Sequence, residues 1–287
     1  MDNHTVATID PAVPAPAAPP RDAATVLVLR DAPDGPEVYL VKRSRAVDFM
    51  AGAHVFPGGR LDKSDSAASA CALLSAGVGA LQQRLGEELS PARAAGLFVA
   101  AIRETFEEAG LLLGRLAAGW NPEDARNAVA GGAQFTTLVD RLDAAALVPW
   151  VRWVTPEISP RRFDARFFLA RAPEGQVPRV DGREVTEGVW LRPAEAIGRW
   201  LDGDMMLAPA TAKSLDALLV HRTVADALAA AARRPPPVMM PVVWNDNGRA
   251  YICLPGDRRH PVAEDGLGGT MLRLQLEEGR FRPVAAV

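Results

Sequence analysis

Long apolar runs are missing from this chain. No stretch reaches the roughly 18 to 20 residues that a membrane-spanning helix requires, and the first residues show no basic segment leading into an apolar core. The C-terminal PVAAV is not an SKL-type peroxisomal address. No membrane association is expected, and a soluble, cytoplasmic protein is the expectation. Cysteine is scarce: Cys71 and Cys253 are the two in 287 residues, far apart and in no metal-ligand spacing. That argues against a disulfide framework and for inert thiols in a reduced compartment. A basic excess is also absent. The formal net charge is −3, whereas coating a phosphate backbone needs a concentrated cationic surface, so nucleic acid is not an expected partner. Aromatics are few, at 6%, but 48% hydrophobic and 23% charged residues are ordinary for a globular chain with a sizeable core.

Proline and alanine crowd the start. Residues 1–20, closing on PAVPAPAAPP, have little to bury and read as a disordered lead-in. One enlarged domain over 21–261, with a tail over 262–287, accounts for the rest. TVLVLR (25–30) and EVYLVKR (37–43) are β-rich runs joined by the turn formers DAPDGP, and GAHVFPGG follows as a brief extended piece. Residues 66–89 suggest a helical insertion of one or two helices interrupted by SAGVGA. Ser90 then Pro91 is an N-cap with proline at the first helical position, and Gly110 is a stop signal, which frames a helix over 91–109. NPEDARNAVAGG and FTTLVDRLDAAA read as helical. Strands are expected at 150–154, 165–171 and 185–191, a helical extension over 192–234, and a last hairpin through Asn247-Gly248. Mixed strands and helices imply an α+β layered fold.

Within the 91–109 helix lies RETFEEAG. At 100° per residue, Phe98, Ile102, Thr105 and Ala109 share one side and Glu104, Glu107 and Glu108 the other, toward a cleft or solvent. Like charges at such spacings cost roughly 0.2–0.5 kcal/mol per pair. A bound cation would remove that penalty, and three carboxylates make a hard oxygen surface suited to Mg²⁺ or Mn²⁺. Such ions polarise phosphoryl oxygens and activate water, which points to a phosphate ester or anhydride as substrate. Arg103 can pair with Glu107 at i, i+4 and hold its rotamer. The alternative is a solvated acidic face with an ordinary surface ion pair.

RETFEEAGL is similar to the core of the Nudix box, REUXEEXGU with U apolar, and FPGGRLDKSD supplies the paired Gly58 and Gly59 that open the box. Thr105 stands where a larger aliphatic is usual. The pattern's earlier acid falls on Asp65 instead of a glutamate, and thirty-seven residues separate it from Arg103 where the pattern has seven. An insertion that long is free to relocate Asp65. A split box of this kind, with HVFPGG before it and WVTP, RRFDARFF and PGD after it, resembles the acyl-CoA diphosphatase branch of the Nudix hydrolases. The resemblance implies an α/β/α sandwich with a mixed β-sheet between helices. It also implies metal-dependent cleavage of a small-molecule nucleoside diphosphate derivative, most simply CoA or acyl-CoA. ADP-ribose, NADH or a dinucleotide is the alternative substrate, and a non-catalytic Nudix-fold binding module a further one. A homodimer is left open.

By that resemblance Glu104, Glu107 and Glu108 are metal ligands, with the Gly59 carbonyl beside them. Glu104 is a ligand or general base, and Arg103 supports Glu107. The CoA signature of the branch is matched in spacing by YLVKRS, Asp48, Gly52 and FPGG, with Arg43, Arg45 and Gly58 as substrate contacts. Asp48 stands where the signature has a second arginine. Arg161 and Arg162 either contact phosphates or, with Asp164, order their loop. Glu184 and Glu187 are candidates for an additional acid. His54 is read as structural. Trp150 and Trp153 are placed on one sheet face, for packing rather than base stacking. Asp257 has no evident chemistry.

Overall fold

The computed structural model describes residues 18–46 and 50–285. Most of the expected lead-in, and Asp48, lie outside the described residues. The first half of the chain forms β1 Arg21–Arg30, β2 Glu37–Arg43, β3 His54–Val55, β4 Gly58–Arg60, α1 Ala68–Cys71, α2 Val78–Leu85, α3 Pro91–Ala109, β5 Gly114–Leu116, α4 Pro122–Ala130 and β6 Val139–Leu142. The second half forms β7 Val148–Val154, β8 Phe163–Arg171, β9 Val185–Leu191, α5 Pro193–Asp202, α6 Pro209–Leu218, α7 Val224–Ala232, β10 Val238–Met239, β11 Val242–Asp246, β12 Arg249–Cys253, β13 Arg273–Glu277 and β14 Arg280–Pro283.

β1 is the spine of a mixed sheet. It pairs in parallel with β8 from Arg21↔Phe163 to Leu29↔Arg171. Its other edge is shared by β2, at Leu29↔Val38, and β4, at Ala24↔Gly59. Alternation along these strands sends side chains to two separate cores. Val26, Val28, Tyr39, Val41 and Phe168 pack toward α3, while Leu27, Leu29, Val38, Leu40 and Leu169 pack toward α5, α6 and α7. Helices therefore cover both faces, as the α/β/α expectation requires.

α3 is framed as its signals dictate: the Ser90 hydroxyl accepts from Arg93 N at 3.3 Å, and Gly110, at φ +70°, ends it. It is not a half-exposed amphipathic helix, because residues 94–103 are all buried. The helical insertion supplies the cover. α1 and α2 pack on its outer side with Leu81 and Leu85 buried, and a Cβ on Gly96 would lie 2.2 Å from Ser66 Oγ. The small residues Ala94, Ala95, Gly96, Ala100 and Ala101 permit that approach. Glu87, at the end of the insertion, meets Arg166 at 2.6 Å and Arg152 at 3.1 Å, which anchors it to β7 and β8.

Two expectations need correction. FTTLVDRLDAAA is not helical: Phe135–Thr137 and Ala144–Ala146 are single 3₁₀ turns, and β6 between them pairs with β5. Its backbone also meets the insertion, with Leu142 N donating to Leu73 O and Ser75 N to Leu142 O, partners that local periodicity does not report. The 192–234 extension is three helices, divided at Gly203 (φ +89°) and by the Thr223 N-cap. Trp150 and Trp153 do share a core as expected, although strict alternation would put them on opposite faces. A bulge between Pro149 and Val151 brings both into one core.

The Asn247-Gly248 hairpin joins β11 and β12 as expected, with φ of +48° and +80° at its corner. Beyond it, residues 273–283 of the expected tail form β13 and β14, which extend the hairpin to four strands. Asp257 receives Arg273 in a two-point pair, 2.8 Å on each oxygen, so it ties the 254–260 turn to β13. Both cysteines are free thiols.

Candidate active site

The last two turns of α3 run beside β4. Glu108 Oε2 accepts a hydrogen bond from Gly58 N at 3.0 Å. A Cβ on Gly59 would lie 2.3 to 2.6 Å from the carboxylate atoms of Glu104, and one on Gly58 would lie 2.5 Å from Ala24 O. Glycine at 58 is thus a steric requirement, because a side chain there would meet the β1 backbone, while one at 59 would displace the Glu104 carboxylate.

Arg103, on the same helix, is buried and holds the acids together. Its Nε and Nη2 donate to the two oxygens of Asp65 at 2.9 Å each, Nη2 donates also to Arg60 O at 3.0 Å, and Nη1 donates to Glu104 at 2.8 Å and Glu107 at 3.2 Å. The insertion therefore does not relocate Asp65. It loops out over α3, and Asp65 returns to Arg103 with only 1% of its surface exposed. Burial opposes charge on Arg103, but the Asp65 hydrogen bonds and the nearby Glu104 charge outweigh it and raise its pKa, so it stays a cation.

The glutamates are short of countercharge. Burial pushes the Glu104 carboxyl up to about 7, and Glu107 and Glu184 add to the rise while Arg103 opposes it. Burial likewise raises Glu107, and raises Glu108 well above its ordinary value with Glu104 as the next cause. Among the described residues no three His, Cys, Asp or Glu side chains are already drawn into a cage that could hold a metal ion, since Glu104 and Glu107 both turn to Arg103 Nη1. The donor chemistry is nonetheless that of a hard divalent cation: three crowded carboxylates, too few positive partners, and a backbone segment in contact with them.

The other expected residues divide by location. Arg43 lies here, its charge lowering the Glu108 carboxyl against the larger effect of burial. Glu184 is exposed, yet its charge raises all three glutamates. Glu187 is elsewhere. It pairs with Lys42 at 2.9 Å, directly across from it in the register of β9 on β2. Arg45 occupies an exposed turn. Arg162 orders the β7–β8 connection, donating to Thr155 O at 3.1 Å and Ala18 O at 3.2 Å, next to Arg161. Asp164 is not its partner there and pairs with Arg152 at 2.7 Å instead. His54 is buried, with its backbone N donating to Met206 O at 2.7 Å. Burial depresses its ring pKa. One contributor escaped the sequence reading: Arg126, whose Nη2 donates to Glu107 O at 3.3 Å.

Paired glycines, an acid, and an R-E-x-x-E-E helix thus form one contact set despite the interruption between them. A family model described as the NUDT19 Nudix domain matches residues 82–218. Acyl-coenzyme A diphosphatase NUDT19 of Gallus gallus is 30% identical over 327 residues, which cover 90% of this chain and 84% of that protein. The chain belongs to the Nudix hydrolase family. A second relative, acyl-coenzyme A diphosphatase NUDT19 of Xenopus laevis, is 27% identical across 81% of this chain and 73% of its own length. A Nudix hydrolase from Alicyclobacillus acidocaldarius, known from its crystal structure, superposes with a TM-score of 0.59 at 28% identity, over 74% of this chain and 96% of that one. As a Nudix hydrolase the chain acts on pyrophosphate bonds, and its Nudix box, split in sequence, is closed in space.

Proposed function

We propose that this Nudix hydrolase is a divalent-cation-dependent pyrophosphatase that cleaves the diphosphate of CoA or acyl-CoA, releasing 3′,5′-ADP and a phosphopantetheine or its acyl form. The closed set of Gly58, Gly59, Asp65, Arg103 and the three glutamates carries this reading. The name shared by the chicken and frog relatives supports the substrate class. Glu104, Glu107 and Glu108, with the Gly59 carbonyl, would hold Mg²⁺ or Mn²⁺. When bound, such an ion polarises a phosphoryl oxygen and lowers the pKa of water at the site.

The chain's own residues prepare that site. Arg103 fixes the Glu104 and Glu107 rotamers, and Asp65 fixes Arg103. Glu104 is a ligand or the proton acceptor. Arg43 at the end of β2 and the adjacent exposed Arg45 provide cations for substrate phosphates. An acidic net charge supports a small-molecule substrate over nucleic acid, and among the described residues no helix is long and apolar enough to cross a membrane.

Asp48 favours a second reading, in which ADP-ribose, NADH or a dinucleotide is the substrate, because an acid replaces an arginine of the CoA signature. Incubation with CoA, acyl-CoAs, ADP-ribose, NADH and diadenosine polyphosphates in Mg²⁺ or Mn²⁺, with products weighed by mass spectrometry, separates the readings. Release of 3′,5′-ADP from CoA is expected. Cleavage confined to the other compounds would favour the second reading, and no cleavage of any would leave a binding module.

The raised carboxyls also set a pH dependence. Between the ordinary Glu value of 4.5 and about 7, the folded cation-free chain keeps a proton on Glu104 that the unfolded chain has lost. Stability from this group therefore falls as pH rises through that window. Glu104→Gln should show a smaller loss of melting temperature between about pH 5 and about pH 7.5 than the wild type, and Mn²⁺ should stabilise the wild type more at the higher pH. An identical pH profile for the two proteins, read by circular dichroism melts, would contradict the burial of a charged Glu104.

A further inference from the structure

The four-stranded sheet β11–β14 stands apart from the glutamates. Ile252, Leu274 and Phe281, on one of its faces, pack into the core shared with α5, α6 and α7, whereas α3 lies in the core across the main sheet. The second face carries a row that crosses all four strands: Trp244 lies opposite Tyr251, Tyr251 opposite Gln275, and Gln275 opposite Arg282. Side chains so paired share a face and neighbour one another. The turn after β12 is held to this face by the Asp257–Arg273 pair and by His260 Nε2, 2.9 Å from Met240 O. Beside it lies a cavity of about 350 Å³, lined chiefly by Trp244, Tyr251, Arg258, Arg259, Arg273 and Gln275. Small-molecule sites occupy roughly 300–1,000 Å³.

Three features of the cavity point to one kind of ligand. The Trp244 and Tyr251 rings are 5.0 Å apart, 30° from parallel and both partly exposed, which makes a π shelf on which a planar base can stack. Arg258 and Arg259 are exposed cations at its rim. Arg273 is committed to Asp257, and the acid at the rim, Asp246, stands opposite Arg249 across the hairpin, so the two exposed arginines favour an anion. Gln275 is 8% exposed and borders the cavity, yet its amide has no hydrogen-bond partner among the described residues. Buried amides are normally satisfied, and a glutamine amide, donor beside acceptor, matches N6 and N7 of adenine. The Arg259 guanidinium, 4.3 Å from the Trp244 ring, would by itself be an ordinary latch for the turn. A latch accounts neither for the unpaired amide nor for Arg258.

We propose that this cavity binds an adenine nucleotide, with the base on the Tyr251 and Trp244 shelf, its edge read by Gln275 and its phosphate held by Arg258 and Arg259. The site is separate from the glutamates and does not rest on the pyrophosphatase reading. Calorimetric titration of AMP into the full-length chain in excess chelator tests it. AMP should bind, and adenosine or inorganic phosphate alone should each bind about tenfold more weakly or worse, since each lacks one half of the contacts. The Arg258→Ala, Arg259→Ala double variant should weaken AMP binding at least about tenfold. Tyr251→Ala should weaken it about tenfold, the scale of one lost base stack. Both arginines are exposed, so their double variant should melt close to the wild type and keep its pyrophosphatase rate. Arg258→Ala alone, which disturbs no ring contact, gives the same direction if the double variant folds poorly. Glu107→Gln should bind AMP as the wild type does.

Absence of binding at millimolar AMP would overturn the proposal. So would AMP binding that Glu107→Gln removes and the arginine and Tyr251 variants leave intact, since the nucleotide would then sit at the glutamates. Phosphate that binds as tightly as AMP would reduce the cavity to an anion site and sink the adenine assignment. All three failures leave the pyrophosphatase reading standing.

Discussion

Glu107→Gln should reduce pyrophosphatase turnover by about a hundred- to a thousandfold, the scale of losing one preorganised electrostatic contact to the reacting group, with little change in melting temperature. Glutamine keeps the shape and still accepts from Arg103 Nη1, which lies 3.2 Å from Glu107 Oε2. Glu107 is also the most exposed of the three acids, its side chain 28% accessible, so packing has little to lose. What disappears is one negative charge at the place where the cation would sit. Steady-state rates across a Mn²⁺ titration check this. A loss under threefold at every Mn²⁺ concentration would remove Glu107 from the site.

Arg103→Ala should destabilise the fold by about 3–5 kcal/mol, since removing one partner of a buried ion pair strands the other. Asp65 is 1% exposed and receives two hydrogen bonds from the guanidinium, so its carboxylate would be left without countercharge beneath the insertion. The same change frees the Glu104 and Glu107 rotamers and should remove most activity from whatever protein folds. Urea unfolding of Arg103→Ala, Asp65→Ala and the double variant apportions the effect. The double variant should be far less destabilised than the two single losses added together. Simple additivity would show that the pair does not act as a unit.

The glutamate helix and the glycine pair were legible because their signals are local. A serine cap, a proline at the first position, a terminal glycine and three acids at helical spacing all lie within twenty-one residues, 90–110. The closure of the box was not legible. Asp65 and Arg103 meet only because the insertion lies across small residues of α3 and anchors through Glu87 to Arg166 and Arg152, contacts between distant elements that spacing does not encode. The choice between Glu184 and Glu187 had the same character. Both stand near the start of a strand, and only the register of β9 on β2, with its shift at Arg43, pairs Glu187 with Lys42 and leaves Glu184 where its charge raises the α3 glutamates. Arg161 and Arg162 looked like phosphate ligands by residue type, but Arg162 is committed to backbone carbonyls of its own neighbourhood.

Sheet formation late in the chain was half readable. Asn247-Gly248 announces its hairpin, and Glu278-Gly279, with φ of +48° and +76°, makes a second tight corner of the same hand. Glu at the first corner position is a poorer signal than Asn, so β13 and β14 were masked. Asp257 gained a physical role only with them in place, as the buried partner of Arg273.

The central claim is that these crowded carboxylates are a cation site serving diphosphate hydrolysis. It is tested most directly by assaying CoA cleavage with metal-stripped protein before and after Mn²⁺ is restored. The account predicts no release of 3′,5′-ADP beforehand and rapid release afterwards. Equal release in the presence of excess chelator would contradict it.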